Sequence, residues 1–144
     1  MIENDTVKLL RECDAGIRMG VGSIDEVLEE TENPEFKRLL QQCRSRHETL
    51  QSETVGLLNQ YHDSGKAPNP MAVGMSWMKT NWKMLTDKSD ATIADLMTDG
   101  CNMGVKSLAR YLNQYEAASE KSKDIAKRLI RLEEGLTADI RRYL

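Results

Sequence analysis

Between residues 36 and 61 the core-type positions recur at alternating intervals of four and three: Phe36, Leu40, Cys43, His47, Leu50, Thr54, Leu57 and Tyr61. That spacing holds one stripe of an α-helix on a single side for about seven turns. A strand with the same residues would scatter them over both faces. A helix with one such stripe has to bury it against other helices, so the chain is constrained towards a bundle. Two members of the stripe, His47 and Thr54, are polar and need partners in the interior. Asn33-Pro34 stands immediately before it. Proline disfavours helix in the preceding residue and suits the first turn of a new one, while Asn33 supplies an N-cap.

The rest of the chain has the same period. A first helix is predicted to begin near Asn4–Thr6 and to carry Val7, Leu10, Ile17, Val21, Ile24 and Leu28, with Asp14 in the slot between Leu10 and Ile17. A third reads Ile93, Met97, Cys101 (or Gly100), Gly104, Leu108, Tyr111 and Tyr115. A fourth reads Ile125, Leu129, Leu132, Leu136, Ile140 and Tyr143. Between the second and third lies the loop-like run Ser64-Gly65-Lys66-Ala67-Pro68-Asn69-Pro70, then a shorter amphipathic segment with Met71, Met75, Met78, Trp82 and Leu85. The fold expected is all-α, one domain over residues 1–144, with a short extra helix in the crossover. An up-down-up-down bundle needs only a short loop at its centre, whereas a connection of roughly 28 residues suits a bundle with one long crossover, the ferritin-like arrangement.

Composition excludes several partners. The chain has 144 residues with 20 Lys and Arg against 23 Asp and Glu, a formal charge of −3. Residues 1–33 hold nine acidic and three basic groups, concentrated around Asp25, Glu26, Glu29, Glu30 and Glu32. Phosphate recognition needs a concentrated basic surface, and no segment supplies one, so no nucleic-acid partner is expected. No apolar run approaches the ~18 residues of a membrane span, and the acidic N-terminus lacks a signal-peptide core. A cytoplasmic protein is expected. Cys13, Cys43 and Cys101 are odd in number and sit within helical patterns, which reads as reduced, buried small hydrophobes.

The stretch Ser23-Ile24-Asp25-Glu26-Val27-Leu28-Glu29-Glu30-Thr31-Glu32-Asn33-Pro34-Glu35-Phe36-Lys37, with Trp77-Met78 and Asp139-Ile140-Arg141, resembles the small bacterial ferritin-like four-helix-bundle proteins of unknown function. In that family the first stretch forms the first hairpin, the second the crossover helix and the third the C-terminal end. The resemblance implies a fold and no activity.

A ferritin-like di-iron centre takes one carboxylate from each of two helices and Glu-x-x-His from each of the other two. This chain has two histidines. His62 falls at the end of the second helix. His47 faces the core, but Arg44 stands three residues earlier, and a permanent cation repels metal ions. In the fourth helix Glu134 is followed three residues later by Thr137. A complete di-metal site is therefore not expected, and no cofactor is assigned. The alternative is a degenerate site for iron, manganese or zinc built from Asp14, His47, Asp99 and Glu134. Against it stands a plain hydrogen bond between Asp14 and His47. Cys43 and His47 lie one turn apart, so a thiolate–imidazole pair is conceivable, with core packing the expectation. Cys13 and Cys43 are too far apart along the hairpin to share a metal or a disulfide.

Gly16 and Gly20, and again Gly100 and Gly104, form Gly-x-x-x-Gly in predicted helix interiors, where each glycine costs ~1 kcal/mol relative to Ala. They suggest close helix packing, a subunit interface or a pocket. Met78 and Trp82 lie on one stripe of the crossover segment and Trp77 off it, so that helix covers the bundle and also meets a partner. The function expected is a non-enzymatic interaction or assembly module, a homo-oligomer using Trp77, Met78, Trp82, Gly100 and Gly104. A metal-binding or oxidative ferritin-like protein is the alternative.

Overall fold

The computed structural model describes residues 2–63 and 85–144. It contains four long helices, α1 (Ile2–Leu28), α2 (Pro34–Gln60), α3 (Asp90–Gln114) and α4 (Glu120–Ile140), and a terminal 3-10 turn, Arg141–Tyr143. The crossover positions Met71, Met75, Trp77, Met78 and Trp82 lie outside the described residues.

Helix starts follow their capping residues. Asn33 accepts hydrogen bonds from the amides of Glu35 and Phe36, Ser89 from Thr92, and Ser119 from Ser122. Each satisfies amides that a helix start leaves without an internal partner. The end of α2 is closed by His62 in the left-handed region (φ 56°), where the Asp63 amide donates back to the Leu58 carbonyl. This is the six-to-one closure of a Schellman turn, and it leaves His62 exposed.

The direction of each helix is set by contacts at the two ends. At one end the Asp90 carboxylate accepts from the amides of Glu32 (2.9 Å) and Asn33 (2.8 Å), joining the start of α3 to the α1–α2 turn. At the other, Ser119 N–H donates to Thr6 Oγ1 (2.8 Å) and Ala117 N–H to Asp5 (3.1 Å), joining the α3–α4 turn to the start of α1. Arg11 pairs with Asp63 there, at 3.7 Å. So α2 and α3 run parallel, α1 and α4 run opposite to them, and the α2–α3 connection has its ends at opposite ends of the bundle. Helices of this length span ~40 Å, which is why that connection cannot be short.

The apolar interior falls into two clusters. Ile24, Val27, Phe36, Leu40, Ile93, Met97, Leu136 and Ile140 fill the α1–α2-turn end, with Leu85 and Tyr143 packed on them. Phe36 and Tyr143 stack at 4.5 Å. Leu9, Leu10, Ile17, Leu50, Leu58, Leu108, Ile125 and Leu129 fill the other end. Three details of the predicted stripes shift. Leu58 takes the buried slot expected for Leu57, Val27 is more deeply buried than Leu28, and Glu133 takes the slot expected for Leu132. A straight helix drifts ~20° per heptad from a strict four-three pattern, and the three heptads from Phe36 to Leu57 add up to ~60°, enough to bring Leu58 to the buried side in place of Leu57.

Candidate functional site

Between the two apolar clusters each helix contributes one residue to a polar layer: Gly20 from α1, His47 from α2, Gly104 from α3 and Glu133 from α4. His47 keeps 1% of its surface and Glu133 9%. His47 Nε2 is 3.1 Å from Glu133 Oε1, and His47 Nδ1 is 2.8 Å from the Cys43 carbonyl oxygen one turn earlier. Gly20 makes the space for the ring, while a side chain on Gly104 would meet Glu133 only at ordinary contact distance. A Cβ on Gly20 would stand 2.8 Å from His47 Nε2, and one on Gly104 3.8 Å from the Glu133 carboxyl. Two small and two charged residues thus share one layer.

The geometry fixes the protons. Both ring nitrogens of His47 face oxygen acceptors, so Nδ1 carries a proton that it donates to the carbonyl, and a second proton lies between Nε2 and Glu133. Burial alone lowers the His47 pKa. The side-chain contacts with the Cys43 sulfur (3.6 Å) and the Glu133 carboxylate outweigh it and raise the pKa from 6.5 to about 10. At neutral pH His47 is an imidazolium facing a carboxylate. The Cys101 thiol is packed in the neighbouring cluster, and burial, then the Glu133 charge, push its pKa up. Burial, then Glu12 and Asp14, push Cys13 up to about 12. All three cysteines are free and buried.

The residues expected to hold a metal are dispersed. His47 is at the midpoint as expected, but its partner is Glu133, not Asp14. Gly20 is level with His47, so Asp14 lies six residues along α1, an offset of ~9 Å that a side-chain hydrogen bond cannot span. Asp14 is fully buried and pairs with Arg18 at 3.2 Å. Asp99 and Glu134 are exposed. Glu134 is one residue from the inward position, a rotation of ~100° about the helix. Arg44 points away from the midpoint to Asp25 (2.6 Å) and Glu48 (2.8 Å). Gly104 lies beside the Glu133 carboxyl, and both it and Gly100 are half-buried. Among the described residues no three His, Cys, Asp or Glu side chains are placed to hold a metal ion. Among them, too, no helix is long and apolar enough to cross a membrane.

A second feature lies on the seam between α2 and α4. A groove of about 430 Å³ is lined by both helices, with Leu39 and Leu132 on its apolar walls, Arg46 and Arg131 exposed beside it, and Cys43 among its lining residues. A further hollow of about 620 Å³ continues along the same seam past Gly56. Arg128 spans the junction, held by both oxygens of Glu53 (2.8 Å each) and by Asp124 (2.9 Å). A Cβ on Gly56 or Gly135 would meet nothing within 4 Å, so the seam is open at both.

No family model and no curated protein matches the chain. Among solved structures, a conserved hypothetical protein from Mycobacterium tuberculosis is similar over 100% of both chains, with a TM-score of 0.74 and 12% sequence identity. At that identity the likeness establishes a shared all-α, four-helix fold and nothing about activity.

Proposed function

We propose that this chain is a ferritin-like helical bundle that serves as a non-enzymatic interaction or assembly module, forming a homo-oligomer. The ferritin-like reading draws on the parallel α2 and α3 and on the end-to-end connection that this direction requires. The observation that carries the functional reading is the His47–Glu133 pair. In a metal-carrying bundle the midpoint gathers several carboxylates and imidazoles around ions. Here one imidazole and one carboxylate satisfy each other, and glycines close the layer around them. The open α2–α4 seam is the face such a module offers to another molecule.

A metal-binding reading draws on the same two side chains, since an imidazole and a carboxylate do meet at the midpoint. Metal analysis of protein purified without chelators, together with sedimentation over a wide concentration range, separates the two. The module predicts substoichiometric iron, manganese and zinc and a concentration-dependent oligomer. Stoichiometric metal that is lost in Glu133→Gln would establish the other reading, and a monomer at every concentration would refute self-assembly.

A further inference from the structure

We infer that a second copy of this chain docks on the α2–α4 seam, antiparallel about a two-fold axis, with Arg46 facing the partner's Glu53 and Arg131 facing the partner's Asp124. This presupposes the self-assembly proposed above and gives it a face, a symmetry and a direction. The seam carries an ordered charge pattern. Arg46 and Glu53 on α2, and Asp124 and Arg131 on α4, stand seven residues apart. Seven residues make two helical turns, so each pair shares one side of its helix. All four side chains line the seam and are exposed. His47 and Glu133 mark a common level of the bundle. Because α2 and α4 run in opposite directions, both arginines fall within ~3 Å of that level, and both carboxylates lie ~9–14 Å from it towards the α3–α4 turn. Arg46 and Arg131 form no ion pair among the described residues. Glu53 and Asp124 share Arg128, which leaves that group with a net charge of −1. Asp139, the other carboxylate beside the arginines, lies eight residues, ~12 Å, further along α4.

A face that is positive at one level and negative two turns on is complementary to itself turned end for end. In that arrangement α2 lies against the partner's α2 and α4 against the partner's α4, and symmetry forms each contact twice. A parallel copy would set arginine against arginine, so charge selects the direction. The rest of the seam suits close approach. Leu39, Leu57 and Leu132 are half-buried along it. At Gly56 and Gly135 an added Cβ would meet nothing within 4 Å, so the backbone of each helix is open to a neighbour. From Leu39 to Gln60 the seam runs ~32 Å, and two helices make it ~20–24 Å wide. That footprint, ~700 Å², approaches the ~800 Å² that each partner contributes to a standard interface.

Sedimentation of the native full chain over a wide concentration range reads the dimer. Arg131→Glu turns two attractive contacts per dimer into repulsive ones and should raise the dissociation constant about tenfold or more. Adding Asp124→Lys to the same chain restores opposite charges and should return the constant to within about threefold of the native value. Both positions are exposed, and an unchanged far-UV circular dichroism spectrum checks that each variant is folded. High salt should weaken the native dimer and narrow its lead over Arg131→Glu. A native dimer that Arg131→Glu leaves intact, or a loss that Asp124→Lys does not rescue, would overturn this interface and leave self-assembly standing. A native chain that stays monomeric at every concentration would overturn both.

Discussion

Glu133→Gln removes one charge from the polar layer while keeping its shape. In the native chain His47 is held as an imidazolium by its contacts with the Cys43 sulfur and the Glu133 carboxylate, with its pKa raised from 6.5 to about 10. Such a group adds stability that is fully present below about pH 6.5 and is lost as pH rises through about 10. A shift of that size corresponds to roughly 5 kcal/mol at most. Removing one partner of a buried pair costs about 3–5 kcal/mol, but in the variant a neutral ring keeps its Nδ1–H on the Cys43 carbonyl and accepts at Nε2 from the glutamine amide N–H. The lower figure, about 3 kcal/mol at pH 6, is the expected loss. Urea unfolding followed by far-UV circular dichroism, run on both proteins from about pH 6 to 10, measures it. The gap between native protein and variant should be about 3 kcal/mol at the acid end and should close towards the alkaline end, because only the native chain loses an ion pair there. A gap below about 0.5 kcal/mol, or one that stays constant across the range, would refute the reasoning.

The glycines give an opposed pair of expectations. Gly20→Ala places a Cβ 2.8 Å from His47 Nε2, so the ring must move and the change should cost about 1–3 kcal/mol in thermal or urea unfolding. Gly135→Ala meets nothing within 4 Å in a helix and should stabilise by up to about 1 kcal/mol in the same assay. Asn33→Ala removes the acceptor for the Glu35 and Phe36 amides and should cost about 1 kcal/mol, read as a lower urea midpoint with an unchanged slope. A double-mutant cycle on Glu53 and Arg128, a half-exposed pair, should give a coupling below about 1 kcal/mol that shrinks in high salt.

Much of this architecture is legible in the sequence, because helix periodicity and capping are local signals. The α2 stripe from Phe36 to Thr54 is buried as its spacing requires, and Asn33 caps α2 where the Asn-Pro step places it. The partner of His47 is not local. Leu129–Leu132–Leu136 and Leu129–Glu133–Leu136 obey the same three-and-four rule, and hydrophobicity alone selects the leucine. The selection fails because the His47 ring already occupies the midpoint and has to be paired, so the charged residue turns inward and Leu132 moves aside to the groove. A signal for this existed. Gly20 and Gly104 are both costly in helix interiors, and both fall in the layer that also holds the core-facing histidine. Gly20 marks where the His47 ring needs room. Asp14 misled for a related reason. It sits in an inward slot, but its neighbour Arg18 reaches back one turn and pairs with it.

A protonated histidine set against a carboxylate holds the midpoint of the bundle. The chain contains two histidines, and the other, His62, is exposed, so an NMR titration of the imidazole resonances, assigned with His62→Gln, reads His47 directly. His47 should keep both ring protons through about pH 8 and titrate only near 10. A His47 ring that loses a proton at or below 6.5, or that is already neutral at about pH 7, would contradict the account.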